Sequence, residues 1–351
     1  MIYLDNAATG WPKPYSVVCA VRDGLTSLAA NPGRGAYKMS VDTAQRVYET
    51  RRRAAAFFNL SEPENIIFTH NCTAAINLAL KCFLPAGSHA VVSDREHNAV
   101  MRPLHEMARR GEITFDVADI GDDVVNAAAH FARKINQRTR MLFCTHVSNV
   151  DGCVMPIADI GRLAARFGLL FAVDGAQSAG SVSIDMVSDG INLLCLPGHK
   201  GLCGPMGSGM LLVRDAQPCA TLIQGGTGSD SVNPAQPDYL PDALESGTPA
   251  VPAVIGLGEG IKFVSELGAP NILRHERQLR GELAAQLSRL ERVTVYEPQT
   301  PTGILLFNIR AMPCESVAAA LDDSDIAVRA GLHCCPRRTG FWARGNAERS
   351  E

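Results

Sequence analysis

The chain has 351 residues, 46% of them hydrophobic. A chain of this length is larger than a single hydrophobic core usually supports, so two domains are expected. Its 33 basic and 36 acidic residues give a net charge of −3 without long runs of one sign, which argues against nucleic acid or a membrane surface as a partner. The opening MIYLDNAATG contains neither a basic leader nor an apolar signal segment, and no apolar stretch could span a bilayer, so a cytoplasmic protein is predicted.

Short apolar runs alternate with helical patterns from about residue 64 to 215. The strand-like runs are IIFT, HAVVSD, MLFCTH and LLFAVD, and the helical patterns between them are AAINLALKCF, AVMRPLHEMARR and IADIGRLAARFG. This alternation predicts β-α-β units and a mainly parallel sheet covered by helices. Because ligands bind at the carboxyl ends of strands in such sheets, the polar residues that close these runs are the candidate functional residues.

The remaining third of the chain has a different pattern. A passage rich in glycine and proline precedes a helical pattern from about Pro252 to Leu290, and then come RVTVYE, GILLFNI, a helical pattern near Glu315 to Leu321, and IAVRAG. These runs predict a smaller α+β domain that the N-terminal segment joins. We expect a large domain over residues 15–250 and a small domain from residues 1–14 and 251–351.

Two motifs at strand ends carry the strongest chemical signal. Asp174 ends the apolar strand of LLFAVDGAQSAG, where a carboxylate needs a cationic partner or hydrogen bonds; alone, it fits a salt bridge or a helix cap equally well. Lys200 lies between glycines in GHKG, where loss of solvent lowers the pKa of an amine, as imine formation requires. An isolated GHKG is more often a solvated loop. With the upstream DGAQ, it predicts a pyridoxal-phosphate site in which Lys200 carries the cofactor and Asp174 keeps its ring nitrogen protonated.

A third motif, FTHNCTAAINLAL, places a polar turn between a strand and a helix. Backbone N–H groups and Thr73 at such a helix start form a phosphate site, although simple N-capping by Thr73 is the alternative. The 11 cysteines are odd in number and have no C-x-x-C spacing, so neither a disulfide framework nor a metal site is predicted.

These segments, in this order, closely resemble the class V aminotransferase superfamily, specifically the NifS-like family of cysteine desulfurases and selenocysteine lyases. The resemblance starts at YLDNAATGWPKP and extends to about residue 336. It implies an α/β chain with the type I pyridoxal-phosphate-dependent transferase fold, in which a large domain with a mostly parallel sheet flanked by helices joins a smaller α+β domain. It also implies a homodimer whose active sites use both chains.

The resemblance implies roles for residues around the cofactor ring. Lys200 resembles the Schiff-base lysine and Asp174 the partner of the pyridine nitrogen. His97 in REHNAV corresponds to the histidine that stacks on the ring and assists proton transfer. Asn149 and Gln177 resemble the groups that bond the phenolic oxygen and the lysine region, and Asn149 also borders the substrate.

The phosphate end of the implied site departs from the family pattern. Thr73 and His199 match phosphate ligands, and Thr248 resembles the threonine that reaches the neighbouring subunit's phosphate. Cys72 and Pro197, however, occupy positions where the family has hydroxyl residues. Because a hydrogen bond to a charged group contributes roughly 1 to 3 kcal/mol, we expect weaker cofactor binding by about tenfold or more.

The substrate end supplies the implied activity. Arg329 in AVRAGLHC matches the arginine that clamps the substrate carboxylate, which suits its bidentate fork, and Cys334 falls on the family's nucleophile. The resemblance therefore implies that L-cysteine is converted to L-alanine while its sulfur passes to Cys334 as a persulfide and then to an acceptor protein.

Three alternatives stay open at this point. A selenocysteine lyase, acting on L-selenocysteine, is the closest, because selenium leaves without a thiolate nucleophile. The tail RRTGFWARGNAERSE after HCCP has neither strand nor helix period and resembles a truncated end, so a catalytically impaired cofactor-binding homologue is the second. The third, a cysteine-based sulfur carrier without cofactor, leaves Lys200 and Asp174 unexplained.

Overall fold

A computed structural model describes residues 1–33, 35–229 and 232–335. The predicted truncation after Pro336 lies outside these residues. The strands are β1 (Ile2–Tyr3), β2 (Ile66–Thr69), β3 (His89–Ser93), β4 (Thr114–Ala118), β5 (Thr139–Thr145), β6 (Leu170–Asp174), β7 (Leu193–Pro197), β8 (Gly209–Val213), β9 (Val293–Tyr296), β10 (Leu306–Ile309) and β11 (Ile326–Ala327). The α-helices are α1 (Tyr15–Leu25), α2 (Lys38–Phe57), α3 (Cys72–Phe83), α4 (Asn98–Arg109), α5 (Ala127–Ala132), α6 (Ile157–Phe167), α7 (Val251–Leu267), α8 (Ala269–Leu287) and α9 (Cys314–Asp322).

A seven-stranded sheet with the order β2-β8-β7-β6-β5-β3-β4 forms the centre of the molecule. Strands β4, β3, β5, β6 and β7 run parallel, while β8 pairs antiparallel with both β7 and β2. All residues of β3, β7 and β8 are buried, as expected of strands covered on both faces. The prediction of a mainly parallel sheet is confirmed.

The apolar runs fill two cores, one on each face of the sheet. Successive side chains of β5 point to opposite faces, so Leu142 and Cys144 belong to one core and Met141 and Phe143 to the other. The edge strand β4 was not predicted; its first four residues alternate between exposed and half-buried, and Ala118 at its end is buried. Alternation in a strand of five residues is a weaker signal than a continuous apolar run.

The C-terminal third contains the predicted elements with one correction. The single helical pattern from Pro252 to Leu290 forms two helices, α7 and α8, because Gly268 between them has a φ of 81°, which glycine adopts readily. Strand β1 pairs in parallel with β11, so the N-terminal segment contacts this region. The domain boundaries at residues 14/15 and 250/251 stay a prediction.

Within the described ranges, no helix is long and apolar enough to cross a membrane. The same residues contain no cluster of three or more side chains suited to bind a metal ion.

Candidate active site

A cavity of about 130 Å³ opens where β5, β6 and β7 end and α3 begins. It contains both halves of the predicted cofactor site, since Asp174 and Lys200 line it together. The other lining residues are Asn71, Cys72, Thr73, Ile76, His97, Ala99, Thr145, Val147, Asn149, Ala176, Gln177, Pro197 and His199. The topology explains the convergence, because neighbouring parallel strands deliver their last residues to one edge of the sheet.

Asp174 is the last residue of β6 and is 4% exposed. Its Oδ1 accepts the backbone N–H of Ala176 at 2.9 Å and lies 3.5 Å from the Cys72 thiol. The carboxylate therefore sits in a fixed turn at the cavity wall. The Cys72 thiol faces this carboxylate, and burial together with the charge of Asp174 raises the pKa of Cys72.

Lys200 is half-buried just beyond the end of β7. Burial lowers the pKa of its amine, while the negative charge of Asp174 opposes that shift. A larger share of the amine is neutral than for a solvated lysine, which suits imine formation and proton abstraction. The backbone is crowded here: a Cβ on Gly10 would lie 3.0 Å from the Lys200 carbonyl oxygen, so only glycine fits without displacement.

His97 caps the start of α4, where its Nδ1 accepts the backbone N–H of Ala99 at 3.0 Å. The neutral ring therefore carries its proton on Nε2. Burial lowers the pKa of His97, although the charge of Asp174 opposes the shift. Near neutral pH the side chain is an uncharged N–H donor at the cavity wall.

The start of α3, where the sequence predicts a phosphate site, has a different cap from the predicted one. Asn71, not Thr73, caps the helix, since the Asn71 side chain accepts the backbone N–H of Ala74 at 2.9 Å. The capping alternative for Thr73 is wrong, and its side chain instead lines the cavity. First-turn N–H groups and the helix dipole favour an anion at this place.

The N-terminal segment contacts two residues of the cavity, in an arrangement that sequence reasoning missed. His199 Nδ1 lies 3.1 Å from Thr9 Oγ1, and Gln177 Nε2 donates to the carbonyl of Ala7 at 2.9 Å. Burial and the charges of Lys200 and Lys13 lower the pKa of His199 to about 4, so this ring is neutral at physiological pH. No local motif signals these contacts, because they join residues more than 150 positions apart.

Asn149 connects the cavity to the loop that carries Cys334. Its Nδ2 donates to the carbonyl of His333 at 2.5 Å, whereas its buried Oδ1 has no hydrogen-bond partner among the described residues. The backbone N–H of Asn98 donates to the Cys334 carbonyl at 2.8 Å, and the buried Cys335 thiol donates to the Arg95 carbonyl. The large sheet region thus holds residues 333–335 by their backbone and by Cys335.

Cys334 is exposed and lines a second, larger cavity of about 400 Å³. Thr73, His97 and Ala99 line both cavities, so the thiol and the Lys200 amine open onto adjoining spaces. His333 and Cys334 have left-handed backbones, with φ of 51° and 56°. That conformation costs a non-glycine residue roughly 1 to 2 kcal/mol, which the hydrogen bonds to this loop offset.

Besides Cys334, two predicted residues do not line the cofactor cavity. Arg329 forms a bidentate ion pair with Asp5, with Nε to Oδ1 and Nη2 to Oδ2 both at 3.0 Å, and its side chain is 56% exposed. Thr248 is exposed, and its Oγ1 lies 3.4 Å from Asn31 Nδ2. The roles of these residues stay predictions.

Glu96 is a buried carboxyl that the sequence analysis did not include among the site residues. It accepts the Ser93 hydroxyl at 2.5 Å, the Thr145 N–H at 2.8 Å and the Thr145 hydroxyl at 2.9 Å. Burial is the main reason that its pKa rises to about 8. Since Thr145 pairs in register with Asp174, Glu96 braces the strand end beside the cavity.

These features fit pyridoxal phosphate. The cavity combines an amine of lowered pKa, a buried carboxylate and a helix start that attracts anions. Its lining also contains the Oδ1 of Asn149, a buried acceptor that a donor group on a ligand would satisfy. The second cavity, beside Cys334, does not combine these groups.

The model of the aminotransferase class-V family matches residues 2–344. The chain belongs to this family. It is 33% identical over 342 residues to a probable cysteine desulfurase of Halalkalibacterium halodurans, covering 95% of this chain and 84% of that protein. It is 34% identical to a probable cysteine desulfurase of Methanothermobacter thermautotrophicus, with the same coverage of both chains.

A solved structure agrees with this assignment to the class-V aminotransferases. The apo structure of a cysteine desulfurase from Thermococcus onnurineus superposes with a TM-score of 0.89 at 30% identity, covering 97% of this chain and 86% of that one. The predicted family, the type I fold and a pyridoxal-phosphate-dependent enzyme are confirmed.

Proposed function

We propose that this class-V aminotransferase is a cysteine desulfurase, which converts L-cysteine to L-alanine and transfers the sulfur to Cys334. The observation that carries the proposal is the shared wall of the two cavities. Thr73, His97 and Ala99 border both the space beside Lys200 and the space beside Cys334. A substrate held by the cofactor beside Lys200 would therefore lie next to an exposed thiol. The relatives named as cysteine desulfurases support the same activity.

The cavity residues divide into groups that would hold the cofactor at different places. Lys200 would bond it covalently, and Asp174 would hold a proton on its ring nitrogen. Thr73, Cys72 and His199 would border its phosphate beside the start of α3. Gln177 and Asn149 would border the phenolic oxygen, His97 would cover the ring, and Thr248 would reach the phosphate of a second subunit. When bound, pyridoxal phosphate withdraws electrons from the substrate Cα and makes its proton acidic.

The proton chemistry depends on Lys200 and His97. Because burial lowers the pKa of Lys200, its neutral amine can accept the Cα proton of the substrate. The adjacent His97 presents Nε2–H, a donor that can bind a developing negative charge at the substrate. Asp174 would keep the ring nitrogen protonated.

Sulfur transfer requires Cys334 as a thiolate. Its Sγ attacks the substrate sulfur, so an S–S bond forms, the substrate C–S bond breaks, and the electron pair of that bond goes to the substrate Cβ. Protonation of Cβ and Cα completes L-alanine. The net reaction is L-cysteine plus the Cys334 thiol giving L-alanine plus the Cys334 persulfide, whose outer sulfur then passes to an acceptor thiol.

A homodimer forms part of the proposal. Thr248 lies outside the cofactor cavity and is exposed, as suits a residue that acts across a subunit interface. Large apolar side chains between residues 15 and 48 are also exposed, namely Tyr15, Val18, Leu25, Tyr37, Met39, Val41 and Tyr48. A patch of this kind fits an interface with a second copy. Sedimentation of the loaded protein checks this point.

The decisive experiment compares sulfide and alanine release from L-cysteine by wild type, Lys200→Ala, Cys334→Ser and Cys219→Ser. Cys219 is an exposed thiol outside both cavities and serves as the matched control. We expect Lys200→Ala to lose both the visible absorption of lysine-bound cofactor and all turnover. Cys334→Ser should keep the absorption and lose sulfide release, while Cys219→Ser should match wild type.

Three outcomes would overturn the proposal. Equal sulfide release from Cys334→Ser and wild type would exclude Cys334 as the nucleophile, and turnover of L-selenocysteine alone by both proteins would identify a selenocysteine lyase. A visible absorption band that L-cysteine does not change in wild type would identify a cofactor-binding protein without this activity.

A further inference from the structure

The backbone between β1 and α1 contacts Gln177, His199 and Arg329, and the proposed cofactor and nucleophile roles do not explain these contacts. Within this N-terminal strap (residues 5–13), Asp5 pairs with Arg329, the carbonyl of Ala7 accepts from Gln177, and the N–H of Gly10 donates to the His199 carbonyl at 3.0 Å. The strap therefore connects the Arg329 loop with the residues around the cofactor cavity.

Asp5 engages only one edge of the Arg329 guanidinium. Its two carboxylate oxygens bind Nε and Nη2, each at 3.0 Å. A guanidinium carries five N–H donors, so the Nη1–Nη2 end keeps three, enough to bind a second carboxylate through two parallel hydrogen bonds. Asp5 and a substrate carboxylate can thus occupy Arg329 together, which makes Asp5 an orienting group and not a competitor.

Asp5 is better fixed than the arginine it holds. The Asp5 side chain is 20% exposed, against 56% for Arg329. The Tyr3 hydroxyl donates to the carbonyls of Asp5 at 3.2 Å and Thr9 at 3.0 Å, which fixes the start of the strap. A solvent-exposed arginine without this carboxylate would lose rotamer freedom on binding a ligand, and the ion pair removes part of that cost beforehand.

The pair also lies within electrostatic reach of the catalytic amine. Burial is the largest influence on the pKa of Lys200, but Arg329 lowers that pKa further and Asp5 raises it. Arg329 would leave an uncompensated positive charge near the amine if Asp5 were neutral. The ion pair therefore places the carboxylate-binding group near Lys200 while limiting its effect on the charge of that amine.

We propose that Asp5 is a positioning residue that orients Arg329 to bind the α-carboxylate of the amino-acid substrate. The inference rests on the proposed function, because it assigns the substrate carboxylate to Arg329. It concerns the affinity for carboxylate-bearing ligands, and Asp5 itself touches no reacting atom.

The test compares the loaded wild type with Asp5→Asn, Asp5→Glu, Arg329→Ala and the double variant Asp5→Asn/Arg329→Ala. Asp325→Asn is the matched control, since Asp325 is a carboxylate of the same β1–β11 region that pairs with the N-terminal amine. The readouts are KM and kcat for L-cysteine, and the dissociation constants of L-alanine and cysteamine from the visible absorption. Cysteamine lacks the carboxylate.

For Asp5→Asn we expect KM for L-cysteine and the dissociation constant of L-alanine to rise about three- to tenfold, equivalent to about 0.7 to 1.4 kcal/mol. Its kcat should change less than twofold, and its affinity for cysteamine should equal that of wild type. Asp5→Glu should recover part of the loss and Asp325→Asn should show none. In the Arg329→Ala background, Asp5→Asn should have no further effect, because the two residues act as one unit.

Several results would overturn this inference. A lowered KM for L-cysteine in Asp5→Asn would make Asp5 a competitor of the substrate. An unchanged KM and an unchanged affinity for L-alanine in Asp5→Asn would exclude the positioning role. So would a rise in KM on Asp5→Asn in the Arg329→Ala background as large as in wild type. A wild type that binds L-alanine but releases no sulfide would refute the proposed function instead. The role of Asp5 would then still be decided by the L-alanine titrations.

Discussion

The buried carboxyl of Glu96 makes a quantitative prediction about stability and pH. The folded protein raises the pKa of Glu96 to about 8 from an ordinary value of 4.5, mainly by burial. A carboxyl with a raised folded-state pKa contributes stability that is fully present below pH 4.5 and is lost as the pH rises towards 8, because only the unfolded chain ionises easily. With 1.36 kcal/mol per pKa unit, the loss between pH 4 and pH 7 is about 3 kcal/mol.

Glu96→Gln should remove this loss. The glutamine oxygen can accept the Ser93 hydroxyl and the Thr145 N–H, and its amide can donate to the Thr145 hydroxyl, as a protonated carboxyl would. We expect wild type and Glu96→Gln to have similar unfolding free energies at pH 5. At pH 7.5 the variant should be more stable by about 3 kcal/mol.

Urea unfolding at half-unit steps from pH 5 to 8 measures how the unfolding free energy of each protein changes with pH. With rising pH, wild type should lose about 1.4 kcal/mol per pH unit more than Glu96→Gln. Glu266→Gln, which changes a carboxylate with a 65% exposed side chain, is the matched control and should follow wild type. Equal slopes for wild type and Glu96→Gln would show that Glu96 is ionised in the folded protein. A variant less stable than wild type at pH 7.5 would contradict the reasoning in the same way.

Three further predictions concern the cavity walls. His97 has a lowered pKa and accepts a backbone N–H through Nδ1, so its protonation should not reduce kcat/KM for L-cysteine until the pH falls below 6.5. A decrease in kcat/KM that begins at pH 7.5 and disappears when His97 is replaced would contradict this. Asn149→Ala removes the hydrogen bond to His333, so sulfide release should fall about tenfold while the visible absorption persists, and loss of both would indicate a cofactor defect. Gly10→Ala places a Cβ 3.0 Å from the Lys200 carbonyl oxygen, so thermal unfolding should show an unfolding free energy lower by about 1 to 3 kcal/mol. An unchanged unfolding free energy would show that the strap can shift to accept the methyl group.

The central sheet and the cofactor cavity could be predicted because their signals are local. Continuous apolar runs such as those of β5 and β6 indicate strands buried on both faces, and their last residues must meet at one edge of a parallel sheet. Asp174 and Lys200 each end or follow such a run, so their convergence follows from topology. The prediction required no knowledge of side-chain contacts.

Other features could not be predicted because they depend on distant contacts or on weak local signals. The capping of α3 by Asn71 rather than Thr73 depends on where the helix begins, and sequence patterns leave helix ends uncertain by one or two residues. Glu96 follows β3 next to His97, but only the structure brings it to Thr145 and shows that it is buried. A carboxyl in that position in sequence would ordinarily be solvated.

The N-terminal strap shows why the site cannot be understood from the large sheet alone. Its residues contact Gln177, His199 and Arg329, while β1, directly before it, pairs with β11. A displacement of β11 relative to the sheet would therefore move Asp5 and Arg329 together, and would also pull on the backbone beside Lys200. Arg329 and the backbone beside Lys200 are thus connected through nine residues, 5–13, none of which lines the cofactor cavity.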